Sequence, residues 1–477
     1  MAGPSHLIVG DGITALAFLE TCLGRDFHAV TIVGKTASQL GRGIAYAKGE
    51  AGTPWRFAYL LNSPADDIDP VFAAWLTRHW ADIEQTMTGR KPDWLSAAAP
   101  LVEAGDIYGV NAPREFYGDF MEDQAQQMIA KLRDQGTRVV LVDDMATSIK
   151  VDARKVVIQT SAGHQFEAET ADIAPGGAET MRFDGDDGPF SAPSVFGHEH
   201  RISEHIKKGA EIFCIGGNAA MLDVLRLCQS HIANDQIKFA FCAPEGEVPP
   251  PLVPRLPRKL TKPKLTFGHA TAASFLSEIR GEIDAAEAGG DERREIRAGF
   301  RAHFLEHPLQ LYVADPLEAA QVSKQLRFWL RGGPRDTIFD MRRLVETGHV
   351  RIVQGRALGD ETMAEGSSVV VEAEDGPQHR QNTGFVVNCA GAGPRSRFDP
   401  LTENLLEQGL IARSPSGGLT TCEGCQSRAG NIRYLSPAVT QIGDEVVAMP
   451  LYDAHMQRTY VGRGSPCHVE WVSERLG

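Results

Sequence analysis

Nowhere does the sequence hold about 18 uninterrupted apolar residues, the length a bilayer-spanning helix needs. It also lacks an excess of positive charge. With 48 Lys and Arg against 62 Asp and Glu the formal charge is -14, which repels a phosphate backbone. The one basic run, Arg255-Leu-Pro-Arg258-Lys259-Leu-Thr-Lys262-Pro-Lys264, is too local to reverse that. Neither a membrane nor a nucleic-acid partner is expected, and a small-molecule substrate is. Cysteine is sparse: eight are scattered, and the close pair Cys422-Glu-Gly-Cys425 has no second pair or His-x-His spacing to complete a zinc site. No metal is expected, and reduced thiols are the reading for that pair. The first apolar run, His6–Gly10, leaves no room before it for a cleavable leader, so a cytoplasmic location is expected.

What is present is a globular composition, 42% hydrophobic and 23% charged over 477 residues. Single cores stop growing near about 250–300 residues, so at least two domains are expected.

The opening segment His6-Leu-Ile-Val-Gly10-Asp-Gly12-Ile-Thr-Ala15-Leu-Ala-Phe-Leu-Glu20 reads as strand, glycine turn and helix, and a second apolar strand follows at Ala29–Val33. That is the β-α-β unit of a dinucleotide-binding fold. Gly10 permits the tight turn, Gly12 lets backbone approach a pyrophosphate, and Ala15 lets the helix pack close to the strand. The amides at the helix N-terminus then meet the anion. One part is missing: the second strand ends in Gly34-Lys35, where an acid normally holds a ribose hydroxyl. Lys35 either hydrogen-bonds the nucleotide or is solvated.

Helices are expected over about 70–83 and 113–132, then short strands at 138–142, 155–160 and 171–174. At Ala210–Leu227 a second strand, glycine turn and helix appear, with Gly216-Gly-Asn218 in place of Gly-x-Gly. Asn tolerates the left-handed conformation, yet its side chain takes space a pyrophosphate needs. Asp223 on the following helix is either a site acid or a surface charge. The next strand lacks an arginine for a 2′-phosphate, and Arg255 or Arg258 are the nearest candidates to favour NADPH over NADH. A helical insertion is expected over about 265–347. His303 and His307, four apart in it, are read as a boundary feature before metal ligands.

The order of Gly10-x-Gly12-x-x-Ala15, Gly41-Arg42-Gly43-Ile-Ala-Tyr46, Leu61-Asn62-Ser-Pro-Ala65 and Pro113-Arg114-x-x-Tyr117 resembles the bacterial FAD/NAD(P)-binding oxidoreductases related to the N-hydroxylating flavin monooxygenases. The resemblance is specific over roughly the first 120 residues. It implies flavin contacts near Arg42, Gly43, Tyr46, Leu61, Asn62, Ala65 and Arg114. It also implies crossovers between the domains at Ala174-Pro-Gly176 and Ala390-Gly391, and a return to the flavin near Tyr452-Asp453-Ala-His455. The expected architecture is α/β, with two Rossmann-like dinucleotide-binding domains. The FAD-binding domain is discontinuous, 1–175 and 351–477; the NAD(P)-binding-like domain spans 176–350 and carries the helical insertion.

The function this resemblance implies is that of an FAD-dependent monooxygenase using NADPH or NADH to N-hydroxylate an amino acid or related amine. Two alternatives remain open at this stage: an FAD oxidase or dehydrogenase with no nicotinamide site, and a flavin- or nucleotide-binding protein without turnover.

Overall fold

The parallel strands β1 (Ser5–Val9) and β2 (Ala29–Gly34) are joined by helix α1 (Ile13–Glu20). β1 is covered on both faces, so Leu7, Ile8 and Val9 are all buried, as a strand inside a parallel sheet requires. A computed structural model describes residues 3–152, 155–177, 188–253, 259–373, 376–391, 397–414, 417–451 and 454–463 of the chain. Four helices follow β2: α2 (Ala65–Ile68), α3 (Pro70–Met87), α4 (Pro92–Glu103) and α5 (Arg114–Asp134). The Asp69 side chain accepts from the Val71 amide at 2.8 Å and Pro70 stands first in the helix, which together start α3. β3 (Arg138–Asp143) leads into an antiparallel meander of β4 (Ala146–Val151), β5 (Val156–Thr160) and β6 (Gln165–Ala168), and β7 (Thr170–Ile173) returns beside β1.

The second unit repeats this plan. After β8 (Ser191–Ala192) and α6 (Glu199–Lys207) come β9 (Ile212–Ile215), α7 (Ala219–Gln229) and β10 (Phe239–Ala243). β11 (Pro251–Leu252) leads to α8 (Ala272–Ala288), α9 (Arg293–Glu306) and α10 (Pro316–Trp329), then β12 (Gly333–Pro334) and α11 (Arg335–Glu346). β13 (Val350–Gln354) precedes a second meander, β14 (Arg356–Thr362), β15 (Ser367–Glu372) and β16 (Gln378–Thr383), which ends in β17 (Phe385–Asn388). α12 (Pro400–Glu407), β18 (Ala412–Arg413), β19 (Leu419–Thr421), β20 (Ile432–Tyr434), β21 (Val439–Ile442), β22 (Glu445–Val446) and α13 (Ala454–Arg463) complete the described chain.

The two main sheets are parallel and run β20-β7-β1-β2-β3 and β13-β10-β9-β17-β8. This is the α/β arrangement of two Rossmann-like units. The return to the first unit falls later than residue 351. β13 pairs with β10 and β17 with β9, so the chain stays in the second sheet to Asn388 and rejoins the first only where β20 pairs with β7. The cause is the second meander, which occupies the same place between sheet strands as the first.

The helical insertion is not a separate body. Phe275 and Ile279 of α8, Phe300 and Phe304 of α9 and Val322 and Leu326 of α10 share one core with Leu16, Phe72 and Val447, whereas Ile338, Met341 and Leu344 of α11 pack with the second sheet. Ser323 of α10 donates to the Val447 carbonyl at 2.8 Å, which ties the insertion to the returning segment. Within the first sheet lies a buried ionic group. His6 Nε2 is 3.0 Å from Asp172 Oδ2, and Arg433 Nε donates to Asp172 Oδ1 at 2.7 Å.

Candidate functional site

Gly10 takes φ +118°, and a Cβ there would stand 2.0 Å from the Ala174 carbonyl oxygen. Glycine is needed on both counts. Its amide donates to Val33 O at 2.8 Å while Ala174 donates to Val9 O at 2.7 Å, so the turn is clamped between β2 and β7. Gly12 precedes α1 with no side chain capping the helix, and its would-be Cβ lies 3.7 Å from the Cα of Gly43. Gly41 and Gly43 both donate to Asp11 O, at 2.8 and 3.3 Å, which lays the Gly41–Gly43 loop against the turn. The uncapped start of α1 is therefore bounded by two residues without side chains, a surface on which a pyrophosphate fits. Ala15 is fully buried against the sheet.

The acid absent from residue 34 could not have stood there. A Cβ on Gly34 would meet Asp11 Cβ at 2.8 Å. Asp11 fills that place with its own carboxylate, which accepts from the Thr36 amide at 2.6 Å and the Thr36 hydroxyl at 2.9 Å. An acid between two motif glycines, beside a strand end lacking one, was the signal for it. Lys35 is exposed and makes no side-chain bond among the described residues.

Arg42 is buried and pointed away from the turn: it pairs with Asp119 and, at 2.7 Å, with Glu122, both on α5. Its guanidinium holds the loop to the helix and faces carboxylates. Tyr46 meets Tyr117 edge-on at 4.8 Å. The Leu61 amide donates to Ala112 O at 2.9 Å and the Ala65 amide to Val110 O at 3.1 Å, so the Leu61–Ala65 segment is strapped to the chain ahead of α5. Half-buried Asn62 makes no side-chain bond among the described residues. Arg114 turns to the second unit instead. It donates to Leu60 O at 3.2 Å and to Asp223 Oδ2 at 2.8 Å, with Phe196 5.4 Å from its guanidinium.

The second turn copies the first. Gly216 takes φ +109° and a Cβ there would stand 2.5 Å from Cys389 O, while its amide donates to Cys242 O at 2.8 Å. Asn218 does not use the left-handed conformation its residue type allows; it is extended, with φ -118°. Its Oδ1 accepts from the Ala220 amide at 3.0 Å and its Nδ2 donates to Cys389 O at 2.6 Å. The side chain thus caps α7 and consumes one amide that an anion would use. Gly391 lies beside it, 3.9 Å from a would-be Cβ to Asn218 Nδ2. The two sequence motifs are brought together in one molecule but not made alike.

A cavity of about 230 Å³ opens between the Leu61–Ala65 segment, α9 and the start of α13. Ser63 and Asp67 line one side, Arg294, Arg297 and Arg301 another, and His455 a third. Arg294 holds both Asp67 carboxylate oxygens, at 2.8 and 2.6 Å, Arg297 donates to Ser63 Oγ at 3.2 Å, and Arg301 donates to Asp67 O at 2.9 Å. The i, i+3, i+7 spacing of these arginines is visible in the sequence, on a different face of α9 from His303 and His307. Those histidines stack at 4.7 Å on another face, with His303 Nε2 2.6 Å from Tyr312 Oη. Cys425 is buried, its thiol pushed up to about 12 by burial, whereas Cys422 is exposed. Arg255, Arg258, Tyr452 and Asp453 lie outside the described residues.

The family model described as FAD-NAD(P)-binding matches residues 7–178. Residues 7–178 form an FAD/NAD(P)-binding domain. This FAD/NAD(P)-binding domain contains the first glycine turn, the Gly41–Tyr46 loop, the Leu61–Ala65 segment and Arg114. No curated protein sequence matches the chain. Among solved structures, the cadaverine monooxygenase DfoA of Erwinia amylovora, determined bound to FAD, is 10% identical with a TM-score of 0.51, over 92% of this chain and 89% of that one. The lysine monooxygenase NbtG of Nocardia farcinica is 14% identical with a TM-score of 0.48, over 96% and 99%. The ornithine hydroxylase PvdA of Pseudomonas aeruginosa is 12% identical with a TM-score of 0.47, over the full length of both. The likeness to DfoA is one of fold.

Proposed function

We propose that the protein is an FAD-dependent oxidoreductase, a monooxygenase that N-hydroxylates an amino acid or related amine at the expense of NAD(P)H. One atom of dioxygen enters the amine nitrogen, the other leaves as water, and the coenzyme supplies the electron pair. The observation that carries the reading is the side-chain-free surface of Gly12 and Gly43 at the uncapped start of α1, inside the FAD/NAD(P)-binding domain. The shared fold with a cadaverine monooxygenase and the order of the glycine-arginine and Leu-Asn-Ser-Pro-Ala motifs support the reaction class.

Bound FAD supplies the redox chemistry, while the protein orients and shields it. The α1 amides would hold the pyrophosphate, and Asp11, rather than residue 34, would be the carboxylate offered to the ribose. Arg42 builds the loop through α5, and the Asn62 amide is available to the ring system. Small-molecule substrate enters the cavity beside Ser63.

A second reading keeps FAD and omits the coenzyme, because Asn218 spends its side chain on the Ala220 amide that a second pyrophosphate would need. That protein would be an oxidase or dehydrogenase that oxidises its substrate and takes the electron pair onto the flavin. The visible spectrum of purified protein, followed by anaerobic titration with NADPH and NADH, separates the two. Bleaching by either coenzyme supports the monooxygenase. Bleaching by substrate alone supports the second reading, and absence of FAD sinks both.

A further inference from the structure

We propose that Cys422 and Cys425 form a peroxide-responsive dithiol, which closes to a disulfide on oxidation and thereby loosens α13. The pair stands outside the nucleotide surface and the Ser63 cavity, so it is independent of the flavin reading. Cys422 leads into a single 3₁₀ turn, Glu423–Cys425, and its amide donates to Gln426 O at 2.8 Å. A turn of that kind holds its first and fourth Cα atoms within about 7 Å, and a disulfide spans up to about 6.8 Å. Among the described residues Cys422 is the exposed cysteine and the others are buried. An oxidant therefore meets this thiol first.

The backbone gives a second reason. Among the described residues Cys425 is the one residue other than glycine with a positive φ, +61°, and it follows Gly424 at +65°. Two successive left-handed residues suit Gly or Asn, and a different side chain kept there points to a use that glycine cannot serve. Packing of the thiol is a weak use: Cys425 Sγ lies 3.9 Å from Tyr460 O of α13. A sulfur–sulfur bond is a stronger one. One turn back on α13, Gln457 accepts from Thr14 Oγ1 of α1 at 2.7 Å and donates to Leu451 O at 2.8 Å. Drawing the Cys425 sulfur off α13 thus disturbs the helix that braces the start of α1.

The chemistry balances with a peroxide as oxidant. The Cys422 thiolate attacks one peroxide oxygen, the O–O bond breaks, and the departing hydroxide takes up the thiol proton as water. Cys425 then attacks the sulfenic sulfur, and its own proton leaves with the hydroxyl as a second water. Burial keeps the Cys425 thiol protonated at neutral pH, which fits it to finish the reaction and not to start it. Two thiols are oxidised and one hydrogen peroxide is reduced.

The test treats the reduced, full-length protein with hydrogen peroxide, digests it with trypsin and weighs the peptides. Residues 414–428 form one tryptic peptide that carries both cysteines. That peptide is expected to lose two hydrogen atoms and to regain them with dithiothreitol. Amide hydrogen exchange over α13 should be about tenfold faster in the oxidised protein. Neither change is expected in Cys422→Ser, a substitution at an exposed position that leaves folding intact even where Cys425→Ser does not. An unmodified peptide, a sulfinic acid at Cys422 without a sulfur–sulfur bond, or a bond from Cys422 to Cys467 would overturn the proposal. So would a Cys422–Cys425 bond that leaves exchange over α13 unchanged, since the pair would then close without consequence for the helix.

Discussion

Arg114 and Asp223 join the two nucleotide-fold units, Nη2 of the first donating to Oδ2 of the second at 2.8 Å with both side chains largely withdrawn from water. Burial pushes the Asp223 carboxyl up to about 6, and Arg114 opposes that shift. Arg114→Ala would leave a buried carboxylate at the seam without its partner, a change costing about 3–5 kcal/mol at neutral pH. A carboxyl raised above its unfolded value contributes stability at low pH that is lost as pH rises through the folded value. Urea unfolding of the variant should therefore show a larger deficit at pH 8 than at pH 5. Equal deficits would mean that the carboxylate is not its source. Asp223→Asn, which keeps an acceptor for the guanidinium, should cost less.

Gly10 and Gly12 should fail differently. At residue 10 a Cβ collides with Ala174 O at 2.0 Å on a backbone that side-chain-bearing residues avoid, so Gly10→Ala should lower the unfolding midpoint and yield of the protein. At residue 12 the added atom meets Gly43 Cα at an ordinary 3.7 Å. Gly12→Val should fold and fill the surface proposed for the pyrophosphate. The check is absorbance near 450 nm per mole of protein: folded Gly12→Val with full FAD would remove that surface as the binding site.

Asn218 offers a gain rather than a loss. Asn218→Gly frees the Ala220 amide at a helix-capping cost of a few tenths of a kcal/mol, whereas Asn218→Ala loses the cap for about 1 kcal/mol. Under the monooxygenase reading, Asn218→Gly should lower the half-saturation concentration for NADPH or NADH in anaerobic flavin reduction, and Asn218→Ala should not match it. Coenzyme binding indifferent to both changes would place the nucleotide elsewhere than on α7.

How far the sequence alone reaches is clear from particular residues. The first unit was legible because β1 ends in the apolar run Leu7–Val9 and Gly10 and Gly12 stand between it and an apolar helix, a local pattern. The end of the second unit was not, because the pairing of β17 with β9 is set by a sheet assembled from distant segments. Arg42 carried a motif, yet its partners Asp119 and Glu122 lie 77 and 80 residues away, so nothing local says that it faces α5 rather than a cofactor. Asp11 and the α9 arginines were visible as residues. Their meaning depends on Gly34 leaving room for one, and on the Leu61–Ala65 segment lying against the others.

The buried group at His6, Asp172 and Arg433 predicts a pH dependence of a definite sign. Burial alone would lower the His6 pKa, but the Asp172 carboxylate outweighs it and the imidazole is raised to about 9. Asp172 is itself held below the usual carboxylate range despite burial, by Arg433 and His6, so it stays ionised across neutral pH. Because the folded chain holds the His6 proton more tightly than the unfolded chain, the contribution is complete below about 6.5 and fades as pH rises through about 9. A rise of this size corresponds to about 3 kcal/mol as an order of magnitude. Lys91 titrates in the same window, its buried ammonium lowered to about 7, so the wild-type curve alone does not isolate the histidine. The difference between wild type and His6→Leu does. Unfolding free energies at pH 6 and pH 10 should converge by about 3 kcal/mol as the wild type loses the charged imidazole and the variant has none to lose. A difference that stays constant with pH would mean that His6 is neutral in the folded sheet, and that Arg433 alone balances Asp172.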